Sequence, residues 1–221
     1  MKKLIFISIT AFIMLALLFF SSCVKEENNE YPDVVASNDT VSGILKYKQP
    51  ESTGGKVVAW PYGEATFKVI AGSTSVIASA NVNADGTFTI VLPGTMWGGY
   101  LSSLANIAES QGGTVTATPN TVRFLSTIQY KVDYTFDGSA RSINTNLYKL
   151  KADNSIEKSY FFNYYDMNGT FTGTGSYGNV FNWDFTKGWG FIESYVINTA
   201  NNAFNSKSVS TIPAGTVWVN F

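Results

Sequence analysis

From Thr40 to the C-terminus, apolar side chains recur at every second position in short runs, and the runs are separated by Gly, Pro, Asn and Asp. A period of two puts alternate residues on opposite faces of an extended strand, whereas a surface helix needs apolar residues three and four apart. Phe67, Val69 and Ala71 alternate with Thr66, Lys68 and Ile70, and Val76, Ala78, Ala80 and Val82 alternate with Ile77, Ser79 and Asn81. Phe88, Ile90 and Leu92 share a face, as do Phe181, Trp183 and Phe185, and Val217, Val219 and Phe221. Composition points the same way: 16 Phe, 12 Tyr and 5 Trp favour strands, and 19 Gly suit many tight turns. The expected fold class is all-β and antiparallel.

The runs divide into two groups, expected to be two antiparallel β-sandwich units joined by a short helical linker. The first unit covers residues 40–94. Within it, Asn83-Ala84-Asp85-Gly86 is a hairpin connection in which Asp-Gly supplies positive φ. Residues 95–113 form the linker, because Leu101, Leu104, Ile107 and Ala108 recur at helical spacing and Gly112-Gly113 can end a helix. The second unit, residues 114–221, is strand after strand, with turns at Asp137-Gly138, Asp153-Asn154, Asn168-Gly169, Lys187-Gly188 and Pro213-Ala214-Gly215. A long crossover within one larger sandwich is the alternative. The stretch from Val82 to Ile90, followed by Leu92-Pro93, resembles the last hairpin of carboxypeptidase-regulatory-like (transthyretin-like) domains, and Val41-Ser42-Gly43 is similar to the V-x-G that opens them. That resemblance implies a small sandwich over residues 40–94 and carries no catalytic residues.

The N-terminus must be set apart from the fold. Lys2 and Lys3 precede an apolar run from Leu4 to Phe20, then Ser21, Ser22 and Cys23, the only cysteine. Phe20-Ser21-Ser22-Cys23 resembles a lipobox, with Phe where leucine is usual. The resemblance implies a signal peptide over residues 1–22 and a lipid-anchored N-terminus at Cys23; an uncleaved membrane anchor is the alternative. Residues 23–39 are polar and acidic and read as a flexible tether. Within them, Lys25-Glu26-Glu27 resembles the signal that sends Bacteroidetes lipoproteins to the cell surface. It implies an outer-membrane protein on the cell surface, with a periplasm-facing one as the alternative. Asp39-Thr40-Val41 is similar to the O-glycosylation sequon of the same bacteria, with Thr40 as acceptor.

Function is constrained first by what is missing. The chain has no histidine, and cleavage before Cys23 leaves 13 basic against 16 acidic residues. Imidazole-dependent triads are excluded, a zinc site has only carboxylates to draw on, and there is no basic surface for nucleic acid. Gly173-Thr174-Gly175-Ser176-Tyr177-Gly178 fits G-x-G-x-x-G, but a strand rather than a helix is expected after it. Ser155-Ile156-Glu157-Lys158 fits S-x-x-K, yet in a strand those two side chains diverge. Asp166-Met167-Asn168-Gly169 looks like the start of a calcium loop, but Tyr177 stands where the closing glutamate belongs. Carboxylate catalysis would draw on Asp133, Asp137, Asp166, Asp184 and Glu193, and no spacing singles out a pair. The chain is therefore expected to be no enzyme, with no cofactor and no metal.

Aromatic residues are dense between Tyr160 and Tyr195 and occupy both parities from Tyr160 to Tyr165. One core cannot take both parities of a strand, so some rings are expected to face solvent or a partner. Tyr165, Tyr177, Trp183 and Trp189, each flanked by turns, are the candidate ligand-binding residues. The leading expectation is a non-catalytic, lipid-anchored envelope protein that binds or scaffolds. Its alternatives are a glycan-binding partner of an outer-membrane uptake system and a fimbrial or adhesion subunit.

Overall fold

The computed structural model describes residues 40–220. The chain opens with β1 (Thr40–Lys48), β2 (Val57–Ala59), β3 (Ala65–Ala71), β4 (Ser75–Val82) and β5 (Thr87–Val91). Next come β6 (Leu101–Ser103), α1 (Leu104–Gln111), β7 (Thr116–Thr118), β8 (Arg123–Leu125) and β9 (Ile128–Phe136). The remaining strands are β10 (Ser139–Asn144), β11 (Asn146–Leu150), β12 (Ile156–Tyr165), β13 (Gly169–Thr174), β14 (Val180–Phe185), β15 (Gly188–Asn198), β16 (Ala203–Val209) and β17 (Thr216–Asn220). The all-β expectation holds. Every strand pairing is antiparallel except β1 with β17 and β14 with β16.

Local chemistry explains the turns. In the β4–β5 hairpin the Asn83 amide donates to the Thr87 carbonyl (2.9 Å) and the Gly86 amide to the Asn83 carbonyl (2.8 Å). Gly86 has φ 86°, which a side chain would resist. The helix is shorter than its expected span. Gly98 and Gly99 are poor helix formers, and Leu101 to Ser103 pair with β8 instead. α1 starts only after Ser103, whose Oγ accepts from the Asn106 amide. β10 and β16 carry no strand signal in the sequence, because Ser139-Ala140-Arg141-Ser142-Ile143-Asn144 and Ala203-Phe204-Asn205-Ser206-Lys207-Ser208-Val209 are too polar to show a period of two.

The strand ladder returns to its own start. Thr40 to Ile44 pair with β5, while Leu45 to Tyr47 pair with β17. β10 and β11 make a similar change around buried Thr145, β10 pairing with β9 and β11 with β17. The sequence β1–β5–β4–β3–β9–β10/β11–β17 therefore closes on β1. A closed ladder removes exposed edges, which otherwise template unwanted pairing. The circuit encloses the first core, with Leu45, Phe67, Val69, Ile90 and Val132 almost wholly buried. Trp218 is 1% exposed, with its ring 4.8 Å from Phe67, 4.9 Å from Tyr130, 6.0 Å from Phe162 and 6.1 Å from Phe88. Gly43 is the reason the indole fits: a Cβ there would lie 2.6 Å from the Trp218 Cδ1 and Nε1.

The expected division at residues 95–113 is not where the chain divides its cores. β3 pairs with β9 from Ala65↔Tyr134 to Ala71↔Ile128, and β1 with β17, so residues 40–94 lean on strands from much later in the chain. All described residues belong to one compact unit. A second core gathers Leu104 and Ala108 of α1 with Phe124, Tyr165, Phe171, Phe181, Trp183, Phe185 and Ile192. β12 stands between the two cores and is paired on both edges, to β11 and β15. Its Tyr160 and Phe162 enter the first core, whereas Tyr165 enters the second and Phe161 packs against it. Aromatics at both parities are thus buried by a strand that is a wall between two interiors.

Candidate functional site

Cys23, Lys25, Glu26 and Glu27, the signal peptide and the tether lie outside the described residues. Thr40 is exposed at the start of β1, paired with Val91. Tyr165 is fully buried and stacks on Phe185 with centroids 3.9 Å apart. Trp183 is 7% exposed, lies 4.7 Å from the Phe171 ring, and donates its indole N–H to the Ser206 hydroxyl (2.9 Å). The shared face of Phe181, Trp183 and Phe185 exists, but it is the covered face of β14; Asn182 and Asp184 point outward. Trp189 is half-buried, edge-on to Phe162 and Tyr164. Tyr177 alone of the four is well exposed, in the turn between β13 and β14. Tyr165 and Trp183 come together inside a core, where neither offers a ring face to a ligand.

A further exposed ring lies outside these four residues. Trp97 is 69% exposed, the highest value among the large apolar side chains of the described residues. It sits in the Pro93–Tyr100 loop, which is tied down at several points. The Trp189 indole donates to the Pro93 carbonyl (2.8 Å), the Tyr164 hydroxyl donates to the Gly94 carbonyl (3.5 Å), and Met96 packs beside Tyr164, Ala71 and Leu125. The Tyr100 amide closes the turn onto the Trp97 carbonyl (3.0 Å), and Tyr100 meets the indole edge-to-face at 5.1 Å. A Cβ on Gly99 would fall 2.4 Å from the indole Cη2 and Cζ3, so the six-membered ring lies against bare loop backbone.

Arg123 adjoins this loop: its Nη1 is 3.6 Å from where a Cβ of Gly98 would stand. Its backbone amide donates to the Asp166 Oδ1 (2.8 Å) and its Nε to Oδ2 (2.9 Å). A flat ring and an ion pair therefore share one neighbourhood. Asp166, the first residue of the calcium-like stretch, is engaged by this guanidinium. The sequence does carry a signal, Trp97-Gly98-Gly99-Tyr100, two aromatics around two glycines, but it lies within the span whose apolar spacing predicts the helical linker.

The other acidic candidates are held in different ways. Glu193 is 4% exposed; Oε1 accepts from Lys158 Nζ (2.9 Å) with Lys207 Nζ at 3.7 Å, and Oε2 accepts from the Tyr160 hydroxyl (2.9 Å). Burial pushes this carboxyl up, but the Lys158 and Tyr160 hydrogen bonds and the two ammonium charges outweigh it and hold the group below the usual glutamate range. Asp133 pairs with Lys68, while Asp137 and Asp184 are exposed. Gly173 to Gly178 bends β13 into β14, so a strand begins where a dinucleotide site would need a helix. A second aromatic cluster gathers half-buried Tyr47, Tyr62 and Tyr134 and exposed Phe136 around buried Trp60, with Tyr62 stacked on Tyr134 at 4.6 Å. Tyr134 also lines a shallow groove of about 690 Å³ with Glu64, Asp133 and Arg141.

No family model, no curated protein and no solved structure matches this chain.

Proposed function

We propose that the chain is a non-catalytic, lipid-anchored protein of the outer membrane whose folded part is a binding platform displayed on the cell surface. The observation that carries the binding role is Trp97. Single exposed apolar side chains are common and usually carry no meaning. This one differs because its loop is anchored by Trp189 and Tyr164, and the ring rests on Gly99. Ordering a ring in advance lowers the entropic cost of binding. The absence of histidine, with the one cysteine assigned to the lipid, supports a role without catalysis. For the architecture, one scaffold with two cores is favoured over two sandwiches joined by a helix, because the β1–β17 and β3–β9 pairings cross residues 95–113.

Lipid anchoring rests on Lys2, Lys3, the apolar run and Cys23, and surface display on Lys25, Glu26 and Glu27. Cys23→Ser is expected to abolish palmitate incorporation and signal processing; unchanged incorporation would defeat the anchoring. Protease added to intact cells is expected to remove the protein. Survival on intact cells with loss after lysis would mean that it faces the periplasm.

A further inference from the structure

We infer that the Trp97 loop is a glycan-binding site, in which a pyranose stacks on the open side of the indole while the Arg123–Asp166 pair bonds its hydroxyls. The inference rests on the binding reading above and gives it a ligand class. A pyranose combines an apolar C–H face with a rim of hydroxyls. It is recognised by a rigid aromatic plane with polar groups that fix its orientation. The Trp97 ring supplies the plane. Gly99 supports it from one side, Tyr100 meets it edge-to-face, and the turn from Trp97 to Tyr100 fixes its base.

The polar partners adjoin the loop at Gly98. Arg123 reaches Gly98, and Asp166 is bound to Arg123. The Arg123 amide donates to Asp166 Oδ1 and its Nε to Oδ2, and sugar hydroxyls would donate to the same carboxylate, which has about four acceptor sites. Hydrogen bonds to such charged groups are the stronger kind. A protein partner fits this neighbourhood less well. Gly98 and Gly99 place no side chains around the ring, whereas a protein interface needs a broad packed surface with a buried centre. Trp189 and Tyr164 act as positioning residues, holding the loop through its Pro93 and Gly94 carbonyls.

The test uses the full-length protein in detergent micelles on an array of neutral gluco-, manno- and xylo-oligosaccharides and uronate-bearing oligosaccharides. Titration of the strongest binder follows. The parent protein is expected to bind at least one class. Trp97→Ala is expected to weaken that binding about five-fold or more, the value of one stacked ring, and Trp97→Phe less. Gly99→Ala leaves the indole in the chain but puts a methyl where its ring now lies, and is expected to weaken binding as well. The ring is exposed, so the thermal midpoints of the Trp97 variants should stay within a few degrees of the parent. Equal affinity in parent and Trp97→Ala, with matching melts, would overturn the site. No oligosaccharide bound by the parent would overturn the ligand class. Both results are independent of the lipid-labelling and protease assays, which test the anchored, surface-displayed reading.

Discussion

Replacing Trp218 by alanine tests the closed ladder directly. Trp218 lies on β17, the strand that joins β1 to β11, and its ring touches aromatic rings contributed by β3, β5, β9 and β12. Truncating a buried Trp or Phe costs about 3–5 kcal/mol, more where the surroundings cannot collapse into the space. Here the cavity is walled by four aromatic rings and by the backbone of Gly43, so the upper part of that range is expected. Against a stability of about 5–15 kcal/mol this is a large fraction. For a domain of this size it corresponds to a fall of roughly 6–20 °C in melting temperature. Urea unfolding with hydrogen exchange resolved on the β4–β5 and β13–β14 hairpins is the assay. Both hairpins should lose protection, because the ladder and β12 join the two cores. Parent-like protection of β4–β5 in the variant would refute the reasoning, since residues 40–94 would then hold their structure without Trp218.

Gly43→Ala should overpack the same core by about 1–3 kcal/mol, and adding Trp218→Phe should recover part of that loss; additive urea midpoints would contradict the contact. Trp183→Ala is expected to cost about 3–5 kcal/mol, whereas Tyr177→Ala should change stability by no more than about 0.5 kcal/mol, both read from thermal melts. Glu193 has a folded-state pKa below its ordinary 4.5, so its contribution is present above that value and is lost as the pH falls through the lower folded value. Glu193→Gln should therefore be less stable than the parent at neutral pH, and the gap should narrow under acid; a gap independent of pH would show that the carboxylate charge is not responsible.

Much of the local structure was legible in residue order. The β4–β5 turn could be read because Asn83, Asp85, Gly86 and Thr87 satisfy one another over a few residues. The Gly112-Gly113 stop was legible too, since both residues take positive φ. Which of the candidate rings face water was not. Alternation identified Phe181, Trp183 and Phe185 as sharing a face, but periodicity cannot say whether that face meets water or another layer. It fails at β12 for the same reason: aromatics at both parities from Tyr160 to Tyr165 do not say whether the second face meets water or a second core.

What the sequence determined by itself was therefore the all-β class, the chemistry unavailable without histidine, and the turns whose bonds close within a few residues. Tertiary structure alone decided that β17 returns to β1, that β12 separates two cores, and that Trp97, not Tyr165 or Trp183, presents its ring to solvent. The physical reason is range. A turn is governed by φ preferences and hydrogen bonds among neighbours, whereas exposure depends on what packs across a face. At Trp97 that is decided by Trp189, 92 positions further along the chain, whose indole holds the Pro93 carbonyl at the base of the loop.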